Sequence, residues 1–193
     1  MKNILIALVT FLSICITVIP SSAVPFATLN VLDADIYVGE SFDVEVWVDG
    51  DNLPAGEELL AFGFNTITPG TLFSYDSYRI ESGFDDDSDP FDSDNVAGSV
   101  FPGISDNDVL LATLSFSAIS EGTDVLQVLG LADGIFNGMF YENVGTFDQS
   151  NFAISAMTDI TVNAAPVPEP ATIFLLGVGL AGIVLLRKKE VVL

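Results

Sequence analysis

The stretch Phe42-Asp43-Val44-Glu45-Val46-Trp47-Val48-Asp49 alternates without a break between an apolar set and a mostly acidic one. In an extended chain successive side chains point to opposite faces, so Phe42, Val44, Val46 and Val48 fall on one side and Asp43, Glu45, Trp47 and Asp49 on the other. One side meets a core and the other meets water, as in a sheet covered on a single face. A second run, Leu110 to Ala118, repeats the pattern with Leu110, Ala112, Leu114, Phe116 and Ala118 as its inward set.

Outward from these two runs, further short strands are predicted at Thr28 to Asp33, Asp35 to Val38, Leu59 to Thr66, Leu72 to Arg79, Asp124 to Leu129, Phe152 to Ser155 and Asp159 to Asn163. Turn residues separate them at Gly39-Glu40, Asp49-Gly50-Asp51, Pro69-Gly70, Glu121-Gly122 and Asp133-Gly134. No helix-period pattern of useful length and no internal repeat interrupts the series. Many short strands at near-regular spacing without helices predict an all-β chain, a single jelly-roll β-sandwich over residues 24–165.

The charge of that body excludes several functions. The chain has 193 residues and a formal net charge of -22, with Lys+Arg 5, Asp+Glu 27, no His and one Cys. Between Val24 and Ala165 the only base is Arg79, set against 25 acids, so the body alone carries -24. Attraction to nucleic acid or to anionic lipid headgroups is thereby excluded for it. Without His, and with Cys15 alone, there is no Ser-His-Asp or Cys-His dyad, no disulfide within the chain and no conventional zinc site.

The two ends read as addresses. Lys2 precedes an apolar run from Ile4 to Ile19, then Pro20-Ser21-Ser22-Ala23, whose small side chains suit a signal peptidase. Residues 1–23 are therefore expected to be a secretory signal helix cut after Ala23, leaving a mature chain without cysteine. At the other end Pro168-Glu169-Pro170 leads into the apolar stretch Ala171 to Leu186 and then Arg187-Lys188-Lys189. Those apolar residues fall short of the ~20 that cross a ~30 Å hydrocarbon core unaided. Snorkelling of the basic cluster covers the difference, and its charge keeps that end cytoplasmic. A transmembrane helix there would hold the acidic body outside the cytoplasm.

In order and position, the Pro-Glu-Pro motif, the Gly-containing apolar segment and the terminal basic cluster over residues 166–190 resemble the PEP-CTERM sorting signal of Gram-negative bacteria. The extra Glu190-Val191-Val192-Leu193 departs from that pattern. The resemblance implies export, a membrane-held intermediate in the inner membrane, and processing by an exosortase, followed by release or attachment at the cell surface. Pro168, Glu169, Pro170, Arg187, Lys188 and Lys189 would then be recognised residues and not catalytic ones. The body has its own resemblance. Ile36 to Gly50, Leu60 to Asn65 and Val109 to Phe116 with Glu121-Gly122-Thr123 are similar to successive strands of cohesin-like domains. This implies a nine-stranded jelly roll related to cohesins and to some carbohydrate-binding modules. Dockerin binding is not implied, because no short motif for it can be matched here.

Within the body, the densest feature is Asp85-Asp86-Asp87-Ser88-Asp89-Pro90-Phe91-Asp92-Ser93-Asp94. Clustered carboxylates repel one another, and a hard cation with many oxygen ligands offsets that repulsion, so Asp85, Asp87, Asp89, Asp92 and Asp94 are candidate calcium ligands. The spacing of the first three opens like an EF-hand loop, but Pro90 stands where that loop needs Gly and Val96 where it needs Glu. Any calcium site would be a weak one, with Kd on the order of 10⁻⁴ to 10⁻³ M, and the other reading is a solvated acidic loop. No cofactor is required.

Trp47 shares the polar face of its strand, where an indole either stacks on a sugar or partner surface or lies under a loop bearing Phe62, Phe64 or Tyr75. Arg79 is expected to pair with a carboxylate such as Glu81. Phe136-Asn137-Gly138-Met139-Phe140-Tyr141 is either a binding loop or, the preferred reading, a connection capping a sheet. No pair of carboxylates stands out for catalysis. The expected function is that of a non-enzymatic adhesion or structural protein of the cell surface or matrix, partnered by a surface protein. The alternative is a carbohydrate-binding module acting on exopolysaccharide.

Overall fold

The computed structural model describes residues 24–50, 56–89, 95–166 and 176–180. The expected signal helix lies outside these residues, as does most of the expected C-terminal transmembrane helix. Residues 176–180 are helical, and no helix among the described residues is long and apolar enough to cross a membrane.

The alternating body folds as two sheets. One orders β1 (Phe26–Val31), β3 (Ser41–Asp49), β8 (Asp108–Ala118) and β5 (Phe73–Ile80), all antiparallel. The other orders β11 (Gln149–Phe152), β10 (Gly138–Asn143), β4 (Glu57–Ile67), β9 (Gly122–Gly130), β12 (Ile154–Asn163) and β2 (Ile36–Tyr37). It also carries β7 (Asn95–Ile104) against β4 and the two-residue β6 (Asp85–Asp86) against β7. The one parallel pairing among the described strands joins β2 to β12, Ile36 to Val162.

The inward face of β3 is as the alternation demands: Phe42, Val44, Val46 and Val48 are buried. Phe42 stacks on Phe116 at 5.3 Å between ring centroids, and Phe73 meets both edge-on at 5.9 and 5.7 Å. Across the core the second sheet contributes Phe62, Phe64, Leu126, Met139 and Ile154, each no more than 1% exposed. With no disulfide available, burial of this apolar area is the main stabilising term.

On β8 the structure corrects the expected phase. Val46 faces Ala112 but Trp47 faces Leu110, so Leu111 is an extra residue on β8, a β-bulge. The bulge reverses the alternation before it: Val109 and Leu111 are buried, and Leu110 turns to the outer face opposite Trp47. The two short strands expected at 152–155 and 159–163 are one continuous β12 preceded by β11. Three strands were not predicted, the two-residue β6 and the longer β7 and β10. β7 carries Gly98, Pro102 and Gly103 and interrupts its own pairing between Ile104 and Ser99, while β10 sits in a Gly/Asn-rich setting.

Burial of Tyr141 against Phe152 pushes its phenol pKa up, and the negative charges of Asp49 and Glu57 push it the same way. The folded state therefore holds the neutral phenol, and its contribution to stability is complete below the unfolded value of ~10 and lost as pH rises above it.

Two outcomes follow for stability. Phe116→Ala should cost about 3–5 kcal/mol in urea unfolding with little change in slope. Tyr141→Phe should flatten the loss of stability above pH ~10 relative to the parent chain, measured by the same unfolding at stepped pH.

Candidate functional site

Three surfaces carry the residues singled out above. The first is the outer face of the four-stranded sheet. Trp47 is partly buried there, between Thr28 on β1 and Leu110 on β8. Its indole Nε1 donates to Glu45 Oε2 at 2.9 Å, and Asn30 Nδ2 donates to the same oxygen at 3.1 Å. The polar edge of the ring is thus engaged within its own sheet. Arg79 extends from β5 beside Thr113, and its Nη2 donates to that hydroxyl at 3.5 Å. The Glu81 carboxyl is held below its ordinary range, first by the Ser82 hydroxyl at 2.7 Å and its amide, and least by the charge of Arg79.

The second surface is the acidic stretch. Phe84 packs edge-on against Phe62 at 5.0 Å, and this contact holds the following carboxylates beside β7. Asp87 Oδ2 accepts from the Ser99 hydroxyl at 2.5 Å, Asp86 Oδ2 from the Tyr78 hydroxyl at 3.3 Å, and the Asp89 amide donates to Asn95 Oδ1 at 3.1 Å. Asp85 is exposed in the bridge to Ser99. Among the described residues no three acidic side chains are grouped to hold a metal ion, so Asp85, Asp87 and Asp89 are not brought together as a ligand set. Asp92 and Asp94 lie outside the described residues.

The third surface takes in the start of the Phe136 to Tyr141 segment, which the sequence offered as a binding loop or, preferably, a sheet-capping connection; its other residues were not singled out. At Asn65, β4 is paired on both sides, with Leu129 of β9 and with Asn95 of β7. Just before it three glycines converge. A Cβ on Gly63 would stand 1.8 Å from the carbonyl oxygen of Phe136, one on Gly130 would stand 2.3 Å from that of Gly63, and one on Gly138 2.5 Å from that of Phe152. Only glycine permits this approach, which lays the connection from Leu131 to Asn137 over the outer face of β4. The first part of the segment from Phe136 to Tyr141 is therefore a cover on the sheet and the rest is β10. Asn137 fixes the connection, its Oδ1 accepting from the Leu131 amide at 2.8 Å and its Nδ2 donating to Asp133.

Between this connection and the ends of β4 and β7 opens a cleft of about 610 Å³. Asn65, Asn95 and Asn137 supply its amides, and Ile67, Leu131 and Phe136 its apolar walls. None of the described residues lining it is charged. Asn95 Nδ2 donates to Asn65 Oδ1 at 3.2 Å, so the Asn65 amide nitrogen has both hydrogens unused among the described residues. Thr66, also at the cleft, holds a buried hydroxyl with no hydrogen-bond partner among them. Strand alternation placed Asn65 and Leu129 within predicted strands, but not their pairing. The rest comes from four separated segments.

At the far end the described residues 176–180 form a helical turn with Leu176, Val178 and Leu180 exposed. Residues 166–189 match the PEP-CTERM protein-sorting motif. That motif takes in Pro168, Glu169, Pro170, Arg187, Lys188 and Lys189, all outside the described residues. No curated protein matches the chain.

Among solved structures the body is similar to a cohesin module from a family 33 glycoside hydrolase of Clostridium perfringens, at 12% identity and TM-score 0.49, covering 74% of this chain and 98% of that one. A non-cellulosomal cohesin of the archaeon Archaeoglobus fulgidus gives 13% identity and TM-score 0.47, over 79% and 97% of the two chains. The sixth cohesin of the Acetivibrio cellulolyticus scaffoldin B, solved with a dockerin, gives 14% and 0.46, over 74% and 100%. The sandwich itself rests on its own strand pairings. These pairings number twelve strands among the described residues, against the nine that the cohesin-like resemblance implied.

The glycine junction is directly testable. Gly63→Ala should destabilise the domain by about 1–3 kcal/mol or more, since backbone must move to admit the methyl. Gly134→Ala, with nothing within 4 Å of the added carbon, should stay within about 0.5 kcal/mol. Equal melting temperatures for the two variants would contradict the described approach.

Proposed function

We propose that the chain is an exported, exosortase-processed protein of the cell surface or extracellular matrix whose β-sandwich serves adhesion or structure and not catalysis. The observation that carries this reading is the PEP-CTERM match over residues 166–189. A signal peptidase removes residues 1–23 after Ala23. The apolar segment from Ala171 and the cluster Arg187-Lys188-Lys189 then hold the chain in the inner membrane of a Gram-negative cell, with the body outside. Pro168, Glu169 and Pro170 are the residues recognised for processing. An exosortase acts there, and the body passes to the surface.

The body suits such placement. It has no thiol to protect after removal of Cys15, and its high acidity keeps it soluble and away from anionic membrane surfaces.

Replacing Pro168, Glu169 and Pro170 together by alanine, in a host with an exosortase, should leave a membrane-held chain of full C-terminal mass. The parent chain should yield a shorter mature C-terminus by mass spectrometry. Unchanged processing of the triple variant would refute the sorting role.

A further inference from the structure

We propose that the cleft beneath the Leu131–Asn137 connection is a binding site for a neutral saccharide. The proposal rests on the exported placement above, since outside the cell such a domain meets glycans directly.

Charge disfavours ionic ligands here. On a body carrying -24, none of the described residues lining this cleft is charged. The surrounding field repels anionic ligands within a screening length of ~8 Å at physiological salt, and no base among the described lining residues overcomes it. A cation would find carboxylates elsewhere on the surface and none among the described residues of this lining. A neutral ligand is what remains.

The polar groups of the cleft are carboxamides. A carboxamide presents a donor and an acceptor side by side, as do neighbouring hydroxyls on a pyranose ring. Asn65, Asn95 and Asn137 place three such groups around one space. The hydrogen bonds they already make, Asn95 to Asn65 and Asn137 to Leu131 and Asp133, fix their orientation before any ligand arrives. Among the described residues, Asn65 keeps both amide hydrogens for a ligand oxygen.

The apolar wall adds a stacking surface. Phe136, Leu131 and Ile67 are 43, 62 and 44% exposed, so an aromatic face and two aliphatic side chains stand open next to the amides. The C–H face of a sugar ring packs on such surfaces while its hydroxyl edge meets the amides. The neutral face runs on across the sheet: Gln127 lies opposite both Ile67 on β4 and Met157 on β12, and Leu129 lies opposite Ser155. A chain of several sugars has somewhere to continue. The cleft volume of about 610 Å³ is of the size that holds small organic ligands.

An extended peptide is the other neutral ligand of this polarity, but it binds by adding to an unpaired strand edge. Here β4 is paired on both sides at Asn65, so its backbone groups are already used.

The test uses the full-length chain in detergent with three probes, cellohexaose, xylohexaose and mannohexaose, and with polygalacturonate as the anionic comparison. Isothermal titration should show binding to at least one neutral oligosaccharide and none to polygalacturonate. Phe136→Ala, an exposed substitution whose folding is checked by the melting temperature, should weaken that binding at least tenfold, and Asn65→Ala should do the same. Trp47→Ala should leave it unchanged.

Absence of binding to all three neutral probes overturns the proposal, as does binding that survives both cleft variants. Capture of a protein partner that is lost on Phe136→Ala, with no glycan bound, would make this a protein-docking face and overturns it equally. The sorting variants report on C-terminal mass alone, so failure here and failure there are read separately.

Discussion

Mutual repulsion among the carboxylates of the body, opposed by a single guanidinium, is the constraint on which the rest of this structure depends. A fold under that load cannot be assembled from ion pairs. The described residues answer it with neutral donors. Ser115 donates to Asp43 at 2.6 Å, Ser117 to Asp76 at 2.5 Å, Ser99 to Asp87 at 2.5 Å, Trp47 to Glu45 at 2.9 Å and Gln149 to Glu142 at 3.2 Å. Each spreads the negative charge onto a hydroxyl, indole or amide without a cation, and several tie neighbouring strands together on the outer faces. The cohesive free energy is left to the core, where Phe42, Phe73 and Phe116 interlock under one sheet and Phe62 and Phe64 line the other.

Much of this could be read from the chain beforehand, and the failures have local causes. Period-two alternation from Phe42 to Asp49 fixed both the strand and its buried side. The same rule misassigned Leu110, because a bulge at Leu111 reverses the phase and nothing in the residue types announces it. β7 was missed because its glycines and Pro102 resemble a turn, although Gly98 is needed where the ring of Phe62 passes 3.0 Å from the place of a Cβ. β10 was missed because Gly138, with φ +118, is a strand-entry residue whose role depends on Phe152 and Ala132, both outside its own strand.

The site was less legible than the fold. Trp47 was placed correctly on the outer face, but its bond to Glu45 depends on which rotamers the two adopt. The amide cleft depends on a junction of Gly63, Gly130 and Gly138, three residues that carry no side chain and come from three strands. Alternation describes one strand at a time. A site built by backbone contact between strands is invisible to it.

The order of the second sheet has a mechanical meaning. β9 lies between β4, which bears the cleft, and β12, from whose end the chain runs toward the sorting segment. β12 is held along its length by nine paired positions on β9, from Ile154 to Val162, with β2 parallel on its other side. Tension applied through the chain after Asn163 is directed along β12, so it loads that ladder in shear, with its hydrogen bonds resisting together, and does not peel them one by one. Pull between a ligand on β4 and an anchor beyond β12 would cross a single intervening strand, leaving the four-stranded sheet outside the line of force.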